Sequence, residues 1–280
     1  MTESFPKLDD IDIAETRDVL HSYARVLGAW LVACRRRRKH WWHASLRPSL
    51  QGLTTGVVHS EIDFELELNL RENRLLGRTS GGGSLTEDLR GQPAAELADH
   101  IETFLVGNGL GARLVPQGIR NIENAERNSD YSSDHAYALG RVWNSVVSAM
   151  EAFRAGIREE TSPIQLWPHH FDISMLWLPG DKLSDQDPNN EEYADKQMNF
   201  GFTLGDETVT EPYFYITAYP LPEQLPTVQL PVGTAWQAEG FSGAVLLYSD
   251  LIESSDPPAY LLDLWDRLLS AGRSHMLTNH

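Results

Sequence analysis

The chain predicts an α+β fold in which mainly antiparallel sheet packs with four or more helices. Three features predict it. Long stretches carry apolar residues at helical spacing, one run alternates acid and apolar without a break, and the last 120 or so residues are short aromatic runs broken by Pro and Gly. With 280 residues, 41% hydrophobic and 9% aromatic, there is enough apolar material for a real core. One compact domain over residues 1–280 is expected, its natural halves being about 1–160 and 161–280. A faint echo between the halves, an aromatic-histidine block followed by strands in each, raises an internal duplication.

The first helix is expected from about Ile13 to Arg37, because Leu20, Tyr23, Ala24, Leu27, Leu31 and Cys34 recur at three- and four-residue spacing. The run Arg35-Arg36-Arg37-Arg38-Lys39 then falls at its C-terminal end, where cations complement the helix dipole. Glu61 to Leu68 alternates as a half-buried strand does, with His59 in phase with the acids. Gly77 to Gly83 reads as a loop, Ala94 to Val106 as a second helix stopped by Asn108 to Gly111, and about Ser133 to Arg158 as a third. A linker is expected around Arg120–Asp130. Further strands are expected at Ile164–Trp167, Phe171–Leu178, Asn199–Leu204, Tyr213–Tyr219 and Ala244–Tyr248, with a polar loop from Pro179 to Lys196. The last helix, Pro258 to Ala271, has Asp256 as its N-cap and Pro257 beside it.

Charge narrows the function. The formal net charge is −17, and it is uneven: residues 1–160 hold 19 basic and 23 acidic side chains, residues 161–280 only 4 basic and 17 acidic. Such a chain repels phosphate backbones and anionic lipid surfaces, so neither nucleic acid nor membrane is expected as a partner. The acidic N-terminus, MTESFPKLDD, is unlike a secretory signal, and the longest apolar stretch near it, Val26 to Cys34, is about half a membrane span, so a cytoplasmic location is expected. The single cysteine, Cys34, excludes an intrachain disulfide framework, and its place on the apolar helix face predicts a buried, inert thiol.

Two blocks carry the chemistry: His40-Trp41-Trp42-His43 and Trp167-Pro168-His169-His170-Phe171-Asp172. Imidazole is the neutral-pH acid/base group and a common metal ligand, and indole makes a large apolar wall. If residues 168–172 are extended, His170 and Asp172 project from one face and His169 and Phe171 from the other. A His and a carboxylate so paired suit a general base, and equally a metal ligand with its supporting shell. His169 and His170 reach one metal only if Pro168 or a bulge breaks the strand. His40 and His43 share a face if helical and oppose each other if extended. Their spacing is not that of the His-Glu-x-x-His zinc motif. Templates for a nucleophile elbow, a calcium loop and a phosphate loop fail at Ala244, Asn190 and Gly81-Gly82-Gly83.

Taken in order, His40-Trp41-Trp42-His43, Gly52-Leu53-Thr54-Thr55, the aromatic block ending Phe171-Asp172, Gly201-Phe202, Pro212-Tyr213-Phe214-Tyr215, Tyr219-Pro220 and Leu247-Tyr248 resemble an uncharacterised bacterial family known only as a domain of unknown function. The resemblance covers roughly residues 15 to 270. It implies common descent and a shared fold and brings no activity with it. Members of that family often carry small residues where this chain has His169-His170, so a metal site on that pair would belong to a subgroup.

The leading expectation is a small-molecule enzyme. His43, His170 and Asp172 are its acid/base or ligand groups, and Trp41, Trp42, Trp167, Phe171 and Tyr213 line its pocket. His40, His169 and His170 are the candidate metal ligands, and nitrogen and carboxylate donors fit Zn, Fe or Mn. The competing expectation is a non-catalytic small-molecule-binding or protein-interaction module in which the His/Trp blocks are structural and the acidic C-terminal half meets a basic partner.

Overall fold

A computed structural model describes residues 5–8, 12–116, 130–190 and 193–277. In chain order these form α1 (Ala14–Cys34), β1 (Arg47–Ser49), β2 (Gly52–Thr54), β3 (Phe64–Asn69), β4 (Arg74–Thr79), β5 (Ser84–Asp88), α2 (Ala94–Gly107) and α3 (Ser133–Ala155). They continue as β6 (Glu160–Thr161), β7 (Gln165–Trp167), β8 (Asp172–Leu178), β9 (Gln197–Thr203), β10 (Tyr213–Tyr219), β11 (Thr234–Gln237), β12 (Gly243–Leu247), α4 (Tyr248–Glu253) and α5 (Pro257–Met276). The α+β class with antiparallel sheets is as expected. Apart from Asp130, the expected linker lies outside the described residues.

The chain divides into two compact, interleaved units. An amino-terminal unit comprises Leu8–Asn144 and Gln165–Phe171, and a carboxy-terminal unit comprises Met1–Lys7, Ser145–Ile164 and Asp172–His280.

In the amino-terminal unit, α1 buries the apolar face that its spacing predicts: Leu20, Tyr23, Ala24, Leu27 and Leu31 are fully covered. Its first turn is held by Asp12 Oδ1, which accepts from the Ala14 N–H at 3.1 Å. The helix stops at Cys34, three residues sooner than expected. Arg35 still donates its N–H to the Leu31 carbonyl but is extended, with φ −95° and ψ 147°. The basic run therefore follows the helix instead of decorating its last turn. The strands make a meander in sequence order, β1-β2-β3-β4-β5. Phe64, Leu66 and Leu68 of β3 point to the core while Glu65 and Glu67 are half-exposed, as the alternation requires. The expected loop at Gly77–Gly83 is partly strand: β4 runs to Thr79, and only Ser80–Gly83 make the turn. Helix α2 packs against α1. Buried Tyr23 of α1 donates its hydroxyl to the Gln92 carbonyl at 2.8 Å, tying the helix to the segment that leads into α2.

In the carboxy-terminal unit the antiparallel order is β11-β12-β10-β9-β8-β6. Register places Ile173 opposite Phe202 and Phe202 opposite Phe214 on one face. On that face Phe153 of α3 meets Phe200 at 4.9 Å and Trp265 of α5 at 5.2 Å between ring centroids. The opposite face carries Asp172 and Ser174 of β8, Asn199 and Gly201 of β9, and Tyr213 and Tyr215 of β10. Asp256 caps α5 by accepting from the Ala259 N–H at 3.1 Å. Arg273 of α5 grips Glu159 through two bonds of 2.7 Å, which holds the Glu159 carboxyl down at about 2. Among the described residues no helix is long and apolar enough to cross a membrane.

Candidate functional site

The second chemistry-bearing block is not a strand. Residues 168–171 form a turn closed by the Phe171 N–H donating to the Trp167 carbonyl at 2.7 Å, and β8 begins only at Asp172. The expected alternation of His169, His170, Phe171 and Asp172 across a strand is thereby overturned. Phe171 turns the chain with φ +59°, a left-handed conformation costly for a residue with a bulky Cβ substituent. Its ring is fixed within the amino-terminal unit by His21 of α1, stacked at 5.1 Å and 13°, and by Trp143, edge-on at 5.3 Å and 86°. The His169 and His170 rings, both on exposed residues, lie 4.4 Å apart, and Trp167 meets His169 edge-on at 5.9 Å. Gly28 of α1 allows this turn to sit close: a Cβ there would lie 2.8 Å from the Pro168 ring.

The first block is neither helix nor strand throughout. Lys39–Ala44 is a 3₁₀ segment kinked at His40 (φ 49°) and Trp41 (φ 57°), both left-handed. His40 and His43 are buried, Trp42 is half-buried, and Trp41 is 44% exposed. Trp41 stacks on His43 at 5.4 Å and 23°, and His40 lies 5.8 Å from Trp42. The Arg37 guanidinium sits 5.0 Å from the Trp41 ring centre, and Lys39 Nζ 5.2 Å from that of Trp42. The Arg38 N–H donates to His43 Nδ1 at 3.3 Å, so neutral His43 carries its proton on Nε2 and presents a donor there.

The two blocks meet inside the amino-terminal unit. Leu46 and Leu166 exchange both backbone hydrogen bonds at 2.9 Å, and Ser45 Oγ donates to buried Gln165 Oε1 at 2.6 Å. Four polar atoms of these segments and of α1 are buried with no hydrogen-bond partner among the described residues: Trp42 Nε1, Gln165 Nε2, His21 Nε2 and Trp30 Nε1.

Three histidines here resist protonation. Burial, with repulsion from Arg25, lowers His21 despite nearby carbonyls of His169 and Pro168. Burial and the charges of Arg37, Arg35 and Arg38 lower His43. Desolvation of its ring, then repulsion from His170, His21 and Arg25, lowers His169 to about 4, although the residue as a whole keeps an exposed surface.

The other two expected site residues, Asp172 and Tyr213, belong to the carboxy-terminal unit and have partners there. Asp172 is buried and accepts a hydrogen bond from the Tyr215 hydroxyl, while Tyr213 donates to Asp206. Asn199 Nδ2 donates to the Tyr215 oxygen at 3.4 Å. Burial, then the charge and hydrogen bond of Asp172, raise the Tyr215 hydroxyl well above its usual range and keep it protonated. A Cβ at Gly201 would lie 2.1 Å from Tyr215 Cζ, so glycine is what lets this ring lie flat on β9. Phe241 stacks beside Tyr213 at 6.4 Å and 13°.

The expected ligand set His40, His169 and His170 does not gather its ligand atoms, because the kink buries His40 while the turn carries the other two outward. Among the described residues, the one trio of His, Cys or carboxylate ligand atoms within 4.8 Å of one another is Glu87, Glu96 and His100. Arg90 already supplies a cation there, 3.2 Å from Glu96 and 3.9 Å from Glu87. Cys34 is partly exposed, not fully buried, and desolvation keeps its thiol protonated.

The chain belongs to DUF5996, a family of unknown function whose profile matches residues 5–276. No curated protein and no solved structure matches it.

Two participants escaped the sequence. His21 sits among the apolar positions of α1 and draws attention only once Phe171 is seen stacked on it. Tyr215 was within reach, because strand alternation puts it on the same face as Tyr213.

Proposed function

We propose that this member of DUF5996 is a small-molecule enzyme whose working site lies in the amino-terminal unit, at Trp41–His43 and the Pro168–Phe171 turn. The observation that carries this reading is the backbone: three of the four non-glycine residues with positive φ among the described residues are His40, Trp41 and Phe171. Each such residue costs on the order of 1–3 kcal/mol, and such strain collects at binding and catalytic sites.

In this reading His43 is a neutral donor through Nε2–H, oriented by the Arg38 amide behind it and the Trp41 ring against it. His170, on the open turn, is the residue for proton exchange, and Trp41 and Trp167 wall the bound molecule. Asp172 holds Tyr215 in the carboxy-terminal unit and is not needed as the partner of His170.

The test is a ligand-observed NMR screen of small organic acids and bases, followed by incubation of each hit with the protein in D₂O. Binding lost in Trp41→Ala and His43→Ala, with deuterium entering the hit only when His170 is present, supports the reading. Binding without exchange makes the protein a binding module. Hits that ignore both substitutions overturn the site.

A further inference from the structure

We propose that the molecule bound beside Trp41 is a small anion, a carboxylate or phosphate, held by the guanidinium groups of Arg35, Arg37, Arg38 and Arg47. This rests on the reading that Trp41 and His43 line a ligand site, and it names the chemistry of the ligand.

Ion pairing is common in the molecule. Arg17, Arg74, Arg90, Arg113, Arg154, Arg267, Arg273 and Lys196 each have a carboxylate within 4.0 Å. Arg35, Arg37, Arg38 and Arg47 have none among the described residues, and neither do Arg25, Arg36, Arg71, Arg78 and Arg158. What sets the four apart is that they lie close enough to repel one another or His43. The acids of the adjoining strand region are engaged: Glu61 with Arg113, Glu65 with Thr54 Oγ1 at 2.8 Å, and Glu67 with Ser49 at 3.3 Å.

Three of the four guanidinium groups, those of Arg35, Arg37 and Arg47, have a defined seat. Because α1 stops at Cys34, Arg35 to Arg38 leave the helix in extended chain instead of being spread around its circumference. Half-buried Arg35 donates one N–H to the Thr55 carbonyl, which fixes the guanidinium and leaves further donors for a ligand. Arg47 lies along the bare backbone of Gly56, its Cζ 3.8 Å from where a Cβ would stand. Arg37 is positioned over Trp41, and the Arg38 backbone braces His43. The groups feel one another: burial, with Arg47 and Arg38, lowers Arg35 to about 10. His43, facing the same charges, stays neutral and adds an N–H donor without adding repulsion. Crowded like charges with no counter-ion favour any anion that enters, and guanidinium forks match carboxylate and phosphate oxygens.

A polyanion fits less well. The patch is one short segment plus Arg47, and the rest of the chain carries a strong negative charge that repels a long phosphate backbone. A small anion meets the patch alone.

The experiment is isothermal titration of the full chain at low ionic strength with inorganic phosphate, phenylphosphate, benzoate and a ten-nucleotide single strand. Sodium chloride at matched ionic strength serves as control. Arg37→Gln and Arg47→Gln, both at exposed positions, are compared with wild type after confirming unchanged melting. Phosphate or benzoate binding that chloride does not reproduce, weakened about tenfold or more by each substitution, is expected. An effect equalled by chloride, or indifferent to both substitutions, overturns the proposal. Tighter binding of the oligonucleotide than of phenylphosphate overturns the small-anion assignment. Anion binding that survives Trp41→Ala and His43→Ala leaves the arginine site standing and removes the enzyme reading; an organic hit sensitive to Trp41→Ala but indifferent to Arg37→Gln and Arg47→Gln does the reverse.

Discussion

Substituting Tyr215→Phe removes one oxygen and leaves the ring in its place on β9, which isolates the hydrogen bond to Asp172. Asp172 is 7% exposed, so water reaches it poorly when that donor is lost. Asn199 also loses the acceptor at 3.4 Å, a long bond that contributes little. A hydrogen bond to a charged group contributes about 1.5–3 kcal/mol, and the change in volume is negligible, so a destabilisation of roughly 2 kcal/mol is expected. Urea denaturation followed by fluorescence reads it as a lower midpoint at constant slope. Asp172→Asn, which keeps an acceptor for the tyrosine, should cost less. The double variant should fall short of the sum by about 1 kcal/mol or more, because the two residues act as one unit. The Tyr215 hydroxyl stays protonated across the neutral and mildly alkaline range, so the effect should be the same at pH 6 and pH 9. A loss under about 0.5 kcal/mol, or an additive cycle, would refute the claim that this bond holds the polar face of the sheet together.

Three further outcomes are expected. Gly28→Ala drives a methyl group to 2.8 Å from Pro168, so it should cost about 1–3 kcal/mol and weaken the His21–Phe171 stacking, seen as a shift of the His21 ring resonances. Trp41→Gly relieves about 1–2 kcal/mol of left-handed strain but forfeits about 0.5–1 kcal/mol of Arg37–indole attraction together with the stacking on His43 and the covered part of the indole. A net loss of roughly 1–2 kcal/mol is therefore expected while ligand binding disappears; a loss above about 4 kcal/mol would mark Trp41 as structural. His21, His43 and His169 have folded-state values below the unfolded 6.5, so the unfolded chain takes up protons first as pH falls. Their stabilisation is complete above 6.5 and is lost on acidification, for His169 down to about 4, whereas the stabilisation from Glu159 is complete above 4.5 and is lost only below it, as pH falls toward about 2. Urea midpoints at pH 7.5, 6 and 5 should fall in that order, and histidine resonances that titrate at or above 6.5 would contradict the assignment.

The elements legible in the sequence are those whose periodicity is long enough to count. Strand β10 spans the expected Tyr213–Tyr219, and α2, α3 and α5 lie within a few residues of expectation. Strands β1 and β2 have three residues each and offer no alternation, and Gly77 disguised β4 as loop. The two chemistry-bearing blocks were legible by composition and illegible in shape. Nothing local announces a left-handed Phe or Trp, since no side chain favours that conformation and only surrounding contacts impose it. For the same reason Asp172 was assigned to its neighbour in sequence, His170. Its partner, Tyr215, lies 43 residues away, and β8-β9-β10 register puts the two on one sheet face.

The contrast between the two polar centres points to where chemistry is to be sought. In the carboxy-terminal unit two tyrosine hydroxyls of β10 are matched to carboxylates, Tyr215 to Asp172 and Tyr213 to Asp206, and the glycine at 201 leaves room for the Tyr215 ring. Those pairs form within the sheet face, and substitutions in them should be felt in folding. In the amino-terminal unit strained backbone, neutral imidazoles and arginines with no carboxylate among the described residues lie in or beside two segments joined at Leu46 and Leu166. Uncompensated, crowded arginine charge costs stability in the protein alone and is relieved by the arrival of a small anion, which is why the proposed ligand site is sought there and not at the tyrosine–carboxylate pairs.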